Sequence, residues 1–534
     1  MNIAELVLRH AQRGKAEALI DYPSGRRRSF DELSERIILL GRALTEQHGL
    51  KRGDRVAVLS RNCLEYMEIL LACALRGVVV QALNWRLSSE EQKQILTQST
   101  PNLVLSHEEF AETVRELQVA ISCDRWVSWT TEGGPSPFED MIAISVRSQG
   151  TETDSVGGFA GDNDPFLVVY TGGTTGISKG AVHTHATALS AMAQNSVAER
   201  TVPSDRFLLM GQMFHSPVLL AINYLTHGCP VIMVNFKAEL ALEAIQEEKV
   251  TASMGIPTMF QNMLPLLATG SWNVDSLRNI QYGGSPIARS VVAELLAALG
   301  CGLIQCYGRT EELAITFLSQ EDHVRAVAGI HPERLESCGR EAWLTRLMLV
   351  TPEGDVIPRS STEAGEIVAK SPGTMVGYLG RPDLTAEATF RDGWLRTGDV
   401  AKYDGHGYLY VVDRAKDLII SGGENIYPAQ VERAIQRHES VLEVAVVGVP
   451  DELWGESVKA FVVLKNGERA SRQDIAQTAA VNIGSYQKPK YVEFLDEMPM
   501  TSAGKVDKRS LKERVKAESA TETAASQVPV ATAD

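Results

Sequence analysis

From Ser29 to Thr45 the apolar residues Leu33, Ile37, Leu40 and Leu44 recur every three or four positions, the spacing of one helix face. Ser29 with Glu32 three residues on forms the S-x-x-E box that starts such a helix. From Arg55 the period changes. Arg55-Val56-Ala57-Val58-Leu59 is a short apolar run, EYMEILLACALRG (65–77) is helical, and Val78-Val79-Val80 is apolar again. Strand, helix and strand in that order predict a parallel sheet. The alternation returns at PVIMV (230–234), LALEAIQEEK (240–249), TASMGI (251–256), RSVVAELLAALG (289–300) and GLIQCYG (302–308). The fold class that follows is α/β, a large N-terminal body of stacked α/β subdomains reaching to about residue 400.

After Asp413 the elements shorten: helix PAQVERAIQRH (428–438), strands EVAVVGV (443–449) and KAFVVL (459–464), helix RQDIAQTAAVN (472–482), strand KYVEFL (490–495), and a closing helix from Asp507. That pattern predicts a small α+β C-terminal domain. The division expected is 1–415, 416–517 and a tail, 518–534, whose lack of aromatic residues and of apolar periodicity predicts disorder.

Composition changes little in this picture. A chain of 534 residues with 44% hydrophobic and 22% charged residues is ordinary for a globular protein of several cores. The net charge of -15 disfavours nucleic acid as a partner, because a polyanion is repelled on average. Cysteines 63, 73, 123, 229, 301, 306 and 338 show no C-x-x-C spacing, which suits a reducing cytoplasm rather than a disulfide framework or zinc knuckle. No secretory leader or transmembrane segment is read in the sequence, and a homodimer is an allowed assembly.

The chemistry concentrates in FLVVYTGGTTGISKG (166–180). Gly176-Ile177-Ser178-Lys179-Gly180 matches the G-x-S-x-G nucleophile elbow formally, but an elbow needs its serine on the sharp turn between strand and helix. Ser178 stands well past the apolar run. A Walker A loop is excluded because Lys179 does not follow a glycine directly. What remains is a glycine-rich loop with hydroxyls at Thr171, Thr174 and Thr175 and one cation, Lys179, suited to phosphate.

Four further stretches stand with it: Gln281-Tyr282-Gly283-Gly284-Ser285-Pro286, Tyr307-Gly308-Arg309-Thr310-Glu311, Gly393 to Asp399 with Asp413-Arg414-Ala415-Lys416-Asp417, and Pro499-Met500-Thr501-Ser502-Ala503-Gly504-Lys505. Jointly and in this order they resemble the adenylate-forming superfamily of acyl-CoA synthetases, luciferases and peptide-synthetase adenylation domains. The phosphate loop departs from the usual T-S-G-[ST]-T-G-x-P-K-G at Gly172 and at Ser178, where serine and proline are common. The resemblance implies ATP, Mg²⁺ and coenzyme A as cofactors and co-substrate, and a small-molecule carboxylic acid as partner. It places the phosphates on Thr171, Gly172, Gly173, Thr174, Thr175, Gly176 and Lys179. The nucleotide is expected on Gly283, Gly284, Ser285, Tyr307 and Gly308, with Asp399 and Arg414 at the ribose. It makes Thr310, Glu311 and Lys505 catalytic, gives Mg²⁺ to Glu311 and Thr174, and puts His215, Tyr282 and Gly283 beside the acyl group. Lys416 matches the hinge of a mobile domain, and Gly422, Gly423 and Glu424 the pantetheine channel. The function implied is ATP-dependent acid-CoA ligation through an acyl-AMP, on an apolar acid to judge from Pro217 to Leu225. An enzyme loading a carrier protein is the alternative from the same superfamily, and a serine acyl-hydrolase the alternative from another class.

Overall fold

In the computed structural model, Glu32 accepts a hydrogen bond from the Ser29 backbone N–H at 3.1 Å, and the helix Phe30–Arg42 follows with Leu33, Ile37 and Leu40 fully buried. The strand Arg55–Leu59, the helix Leu64–Arg76 and the strand Val79–Ala82 come next, the two strands parallel and in register from Arg55 with Val79 to Val58 with Ala82. The structure describes all residues except 131–133, 148–159, 172–177, 271, 286, 415–416, 418, 422–423, 452–453, 484–486, 502–505 and 516–534. The tail expected at 518–534 lies outside the described residues.

Chain contacts divide the molecule into two compact units: Met1–Met348 with Val368–Thr397 and Gly405–Tyr410, and Leu349–Ile367 with Gly398–Asp404 and Val411–Asp534. The first holds two sheets. A seven-stranded sheet runs in the order Gly377–Tyr378, Lys179–Thr184, Pro165–Thr171, Val79–Ala82, Arg55–Leu59, Leu103–His107, Trp126–Trp129. Its five strands from Pro165–Thr171 onward are parallel; Lys179–Thr184 and Gly377–Tyr378 add antiparallel edges. A nine-stranded sheet runs in the order Arg340–Glu341, Leu313–Leu318, Gly302–Arg309, Asn279–Gly283, Ala252–Gly255, Phe207–Leu209, Val231–Met233, Glu17–Asp21, Arg26–Ser29, parallel from Gly302–Arg309 through Glu17–Asp21.

One continuous core takes Val56, Val58, Leu103 and Leu105 from the first sheet and Phe207, Leu209, Val231 and Met233 from the second. Helices Leu64–Arg76, His185–Glu199 and Pro217–Thr226 contribute to it as well. A second core lies on the opposite face of the nine-stranded sheet, with Ile280, Tyr282 and Leu303 against Val292, Leu295 and Ile245. These strands are buried on both faces, so their sequences read as apolar runs rather than as alternation.

The second unit contains a sheet of Glu424–Ile426, Ile419–Ser421, Gly455–Leu464 and Val441–Asp451, with Tyr491–Phe494 parallel to Gly455–Leu464. Helices Pro428–Ile435 and Arg472–Asn482 cover one face through Val431, Ile435, Ile475 and Ala479. Leu511 and Val515, on a helix over 508–515, cover the other with Phe461 and Val447. A further sheet has the order Val356–Ile357, Arg346–Val350, Gly365–Lys370, Leu395–Tyr403, Leu409–Arg414. The architecture is the expected large α/β body with a small α+β domain.

Candidate active site

The strand Pro165–Thr171 ends and the strand Lys179–Thr184 begins on either side of the glycine-rich sequence, and Thr171 and Lys179 face each other as the last antiparallel pair of the two. The Thr171 hydroxyl donates to the Lys179 carbonyl at 3.4 Å. A strand ending at Thr171 and an antiparallel strand beginning directly after Ser178 are not the strand-turn-helix of a nucleophile elbow, so the hydrolase-like reading of Ser178 loses its geometry. Alternation along the returning strand puts Lys179, Ala181 and His183 on one face. Tyr378 pairs with Ala181 across the edge, and its ring lies under the Lys179 ammonium, 5.4 Å from Nζ to the ring centre.

That face meets the turn Tyr307–Glu312. The Gly302–Arg309 strand hairpins into Leu313–Leu318 with a register shift after Tyr307, and a Cβ on Gly308 would fall 1.6 Å from the Leu313 carbonyl oxygen. Only glycine fits there. Leu313 itself is held at φ 59, the left-handed region that a leucine rarely occupies. Such strain persists only where surrounding contacts over-determine the backbone, and three contacts do so here. His183 Nε2–H donates to the Thr310 carbonyl at 2.7 Å, the Met375 N–H donates to the Glu311 carbonyl at 2.7 Å, and Arg309 Nη1 donates to the Arg396 carbonyl at 3.0 Å. Burial holds His183 well down, at about 4, so the ring is neutral at physiological pH.

Glu311 is 5% exposed. Its Oε1 accepts from the Tyr378 hydroxyl at 2.6 Å and lies 2.9 Å from Arg309 Nη2. Burial and the adjoining carboxylate push the Tyr378 phenol far above its ordinary value, so it remains a donor. Tyr378 therefore links Lys179, which follows the glycine-rich stretch, to the carboxylate of the turn. Neither Tyr378 nor His183 was singled out by the motifs. His183 carries a readable signal, a histidine four residues beyond Lys179 on the same face of an apolar strand; Tyr378, about 200 positions away in the chain, has none.

Gly283 and Gly284 lie at the carboxyl end of the Asn279–Gly283 strand, in parallel register with Cys306 of the strand that leads to Tyr307. Gly284 takes φ +82 and turns the chain towards Ser285. Ligands bind at such carboxyl ends in open α/β sheets. Tyr282 requires a correction to its expected place beside the acyl group. It is 1% exposed, packs in the second core, and its hydroxyl donates to Nε2 of His323 at 2.7 Å. Alternation sends Tyr282 to the face opposite Gly283, so the two cannot line one pocket. His215 is half-buried beside Phe214, ring centres 4.5 Å apart, just before the helix Pro217–Thr226.

Asp399 belongs to the second unit, on the Leu395–Tyr403 strand, and is 8% exposed. Of the motif around Arg414, Asp413 caps the helix Pro428–Ile435 by accepting from the Ala429 N–H at 2.7 Å, and Asp417 pairs with Lys512 at 3.0 Å. Gly172, Gly173, Thr174, Thr175, Gly176, Lys416, Gly422, Gly423 and Lys505 lie outside the described residues, as do the side chains of Arg414 and Glu424.

Residues 8–379 match the AMP-binding enzyme family, and residues 430–505 match the AMP-binding enzyme C-terminal domain. The chain belongs to the AMP-binding enzyme family. It is of the acyl-CoA synthetase type within the adenylate-forming superfamily. A feruloyl-CoA synthase from an Amycolatopsis species is 36% identical over 490 residues, 91% of this chain and 94% of that one. A fatty acid–[acyl-carrier-protein] ligase of Streptomyces coeruleorubidus is 32% identical over 510 residues, 93% of each. A fatty acyl-CoA synthetase from Mycobacterium tuberculosis has 30% identity and a TM-score of 0.75, covering 97% of this chain and 99% of that one. The Tyr378 and Arg309 contacts to Glu311 both fall on Oε1, which leaves Oε2 of the carboxylate as the oxygen the turn offers to Mg²⁺, and among the described residues no group of three or more His, Cys, Asp or Glu side chains could hold a metal ion. A hard divalent cation takes such an oxygen. Among the described residues no helix is long and apolar enough to cross a membrane.

Proposed function

We propose that this AMP-binding enzyme is an ATP-dependent carboxylic acid-CoA ligase acting on an apolar acid, whether fatty, alicyclic or arylalkanoic. In the first step a carboxylate oxygen of the acid attacks the α-phosphorus of ATP and the bond to pyrophosphate breaks. In the second the sulfur of CoA attacks the acyl carbon of the acyl-AMP, the mixed anhydride bond breaks, and AMP leaves with its electron pair. The observation that carries this reading is the assembly of Lys179, Tyr378, Glu311 and Arg309 at the carboxyl ends of the strands of an AMP-binding enzyme. It gathers two cations and one oriented carboxylate where a polyphosphate has to be held and its charge balanced.

The other roles belong to the same reading. Thr171 to Gly176 and Lys179 hold the β- and γ-phosphates. Tyr307 and Gly308, with Gly283 to Ser285, flank the base, Asp399 and Arg414 take the ribose, and Thr310 donates to the α-phosphate. Mg²⁺ on Glu311 and Thr174 supplies charge neutralisation at the phosphates. The functional division is 1–415 from 416–517, with Lys416 as hinge, so that Lys505 serves adenylation and Gly422 to Glu424 serve the thiol step. All seven cysteines are free thiols, which suits the cytoplasm, where ATP and CoA are present.

The test is a panel of carboxylic acids with MgATP, read by pyrophosphate and AMP release, with CoA in one arm and a phosphopantetheinylated carrier protein in the other. Acyl-CoA formation is expected. The carrier arm is needed because the Streptomyces relative is named as a carrier-protein ligase. Lys505→Ala should lower pyrophosphate release far more than thioester formation from supplied acyl-AMP, and Ser178→Ala should leave both steps running. Acid-independent ATP cleavage, or loss of all activity in Ser178→Ala alone, would sink the ligase reading.

A further inference from the structure

On either side of 502–505 the chain that carries Lys505 is pinned. Val506 pairs with Met500 as an antiparallel bridge, and the Asp507 N–H donates to the Pro499 carbonyl at 2.7 Å. Asp507 then starts the helix over 508–515, its carboxylate accepting from the backbone N–H groups of Arg509 and Ser510 at 3.1 and 3.2 Å. Leu511 and Val515 lay one side of that helix on the sheet, against Phe461 and Val447. Apolar burial is non-directional, so it holds the helix against the sheet without fixing its register.

Two lysines one helical turn apart supply the direction. Lys508 Nζ lies 2.7 Å from Glu432 Oε1, and the same oxygen accepts from the Val446 N–H of the sheet at 2.7 Å. Lys512 Nζ donates to Asp417 Oδ1 at 3.0 Å. Burial opposes the charge on Lys508, but Glu432 in contact and Asp413 and Asp417 near it outweigh burial and raise the ammonium above its ordinary value. The Lys508 and Glu432 side chains are 22% and 19% exposed. An ion pair so far withdrawn from water adds little stability over apolar side chains of the same volume, because desolvation offsets its attraction; what it sets is placement. Asp417 directly follows Lys416, the residue read as the hinge, and the helix begins three residues after Lys505. The pairs thus join the residue after the hinge to the helix after Lys505.

We propose that Lys508 and Lys512 are positioning residues for Lys505: through Glu432 and Asp417 they fix the helix that follows it, so that hinge and Lys505 turn as one piece and the ammonium reaches the reacting phosphate in one place. The inference rests on the reading above in which Lys505 serves adenylation, and it adds two residues that act through Lys505 without touching substrate. A misplacement of about 1 Å in such a group costs about 10²-fold in rate.

Both half-reactions are measured on the full-length enzyme with the acid that the parent turns over fastest: pyrophosphate release from MgATP, and thioester formation from CoA and the synthetic acyl-AMP of that acid. Lys508→Met and Lys512→Met, which keep the stem and lose the charge, should each slow pyrophosphate release by about 10–100-fold and thioester formation by less than about threefold. Lys508→Arg, which restores a cation, should recover part of the loss. A residue that acts only through Lys505 has nothing left to place in Lys505→Ala, so adding Lys508→Met there should change the residual pyrophosphate release by less than about twofold. Thermal melting with ATP shows that each variant is folded, and a small domain that is merely loosened would slow both half-reactions together. Equal slowing of the two, or the full loss repeated on top of Lys505→Ala, would overturn this inference and leave the ligase reading standing. Undiminished pyrophosphate release in Lys505→Ala would overturn the adenylation role of Lys505 and this inference with it, and silence of the parent with every acid would overturn the ligase reading as well.

Discussion

Glu311 and Glu199 are buried glutamates of the same unit, 5% and 0% exposed, and each accepts a hydrogen bond from a tyrosine hydroxyl. Their surroundings otherwise differ. Glu311 has Arg309 at 2.9 Å as well as Tyr378 at 2.6 Å. Glu199 has Tyr224 at 2.9 Å, while the nearby Arg278 spends its guanidinium on Asp205 and reaches only the Glu199 backbone carbonyl, at 2.8 Å. Burial without a direct cation pushes the Glu199 carboxyl up to about 8, so it is protonated at neutral pH. A buried carboxylate can do charge chemistry only where a cation has been placed beside it.

The largest effect expected is at Glu311. Glu311→Gln removes the charge while keeping the shape, and pyrophosphate release should fall by about 10²–10³-fold, with Mg²⁺ titration unable to restore it. A fall of less than about tenfold would erase the contrast with Glu199. Tyr378→Phe keeps the ring under Lys179 and deletes one donor to Oε1. A hydrogen bond to a charged group contributes about 1.5–3 kcal/mol, so the Mg²⁺ concentration for half-maximal rate should rise by roughly tenfold or more. Mn²⁺ binding measured by electron paramagnetic resonance with a non-hydrolysable ATP analogue should weaken in parallel; a change in rate without a change in metal binding would move Tyr378 from positioning to packing. His183→Ala leaves the Thr310 carbonyl without its donor and should cost about 1–3 kcal/mol in denaturant unfolding, with His183→Gln recovering part.

How much of this was legible along the chain follows from the range of each interaction. The Ser29–Glu32 box, the strand-helix-strand run from Arg55 and the Tyr307–Glu311 turn are local, and local spacing announces them. Gly308 shows the same in reverse: its need for no side chain is set by Leu313, five residues away. Tyr378, by contrast, is defined by pairing with Ala181 and contact with Glu311, separations that no periodicity encodes. Tyr282 was misplaced because a motif names neighbours in sequence, whereas a strand sends neighbours to opposite faces. The sheet built from Arg346–Val350 to Leu409–Arg414 has short strands with half-exposed residues, so its pattern did not stand out from the α/β body.

The smallest effect on rate is expected at Glu199, and there the sign of the pH dependence is the informative part. The folded carboxyl holds its proton to about 8 against an ordinary value of 4.5. Between those values the unfolded chain has released a proton that the folded chain still binds, so stability from this group is full below 4.5 and declines as pH rises through 8. Glu199→Gln has nothing to titrate and keeps a partner for Tyr224. Relative to the parent, the variant should gain on the order of 1–3 kcal/mol as pH is raised across that window, with kcat/KM changed by less than about twofold. Denaturant unfolding at a series of pH values reads this directly. A variant that instead loses stability with rising pH would mean that Glu199 is ionised in the fold.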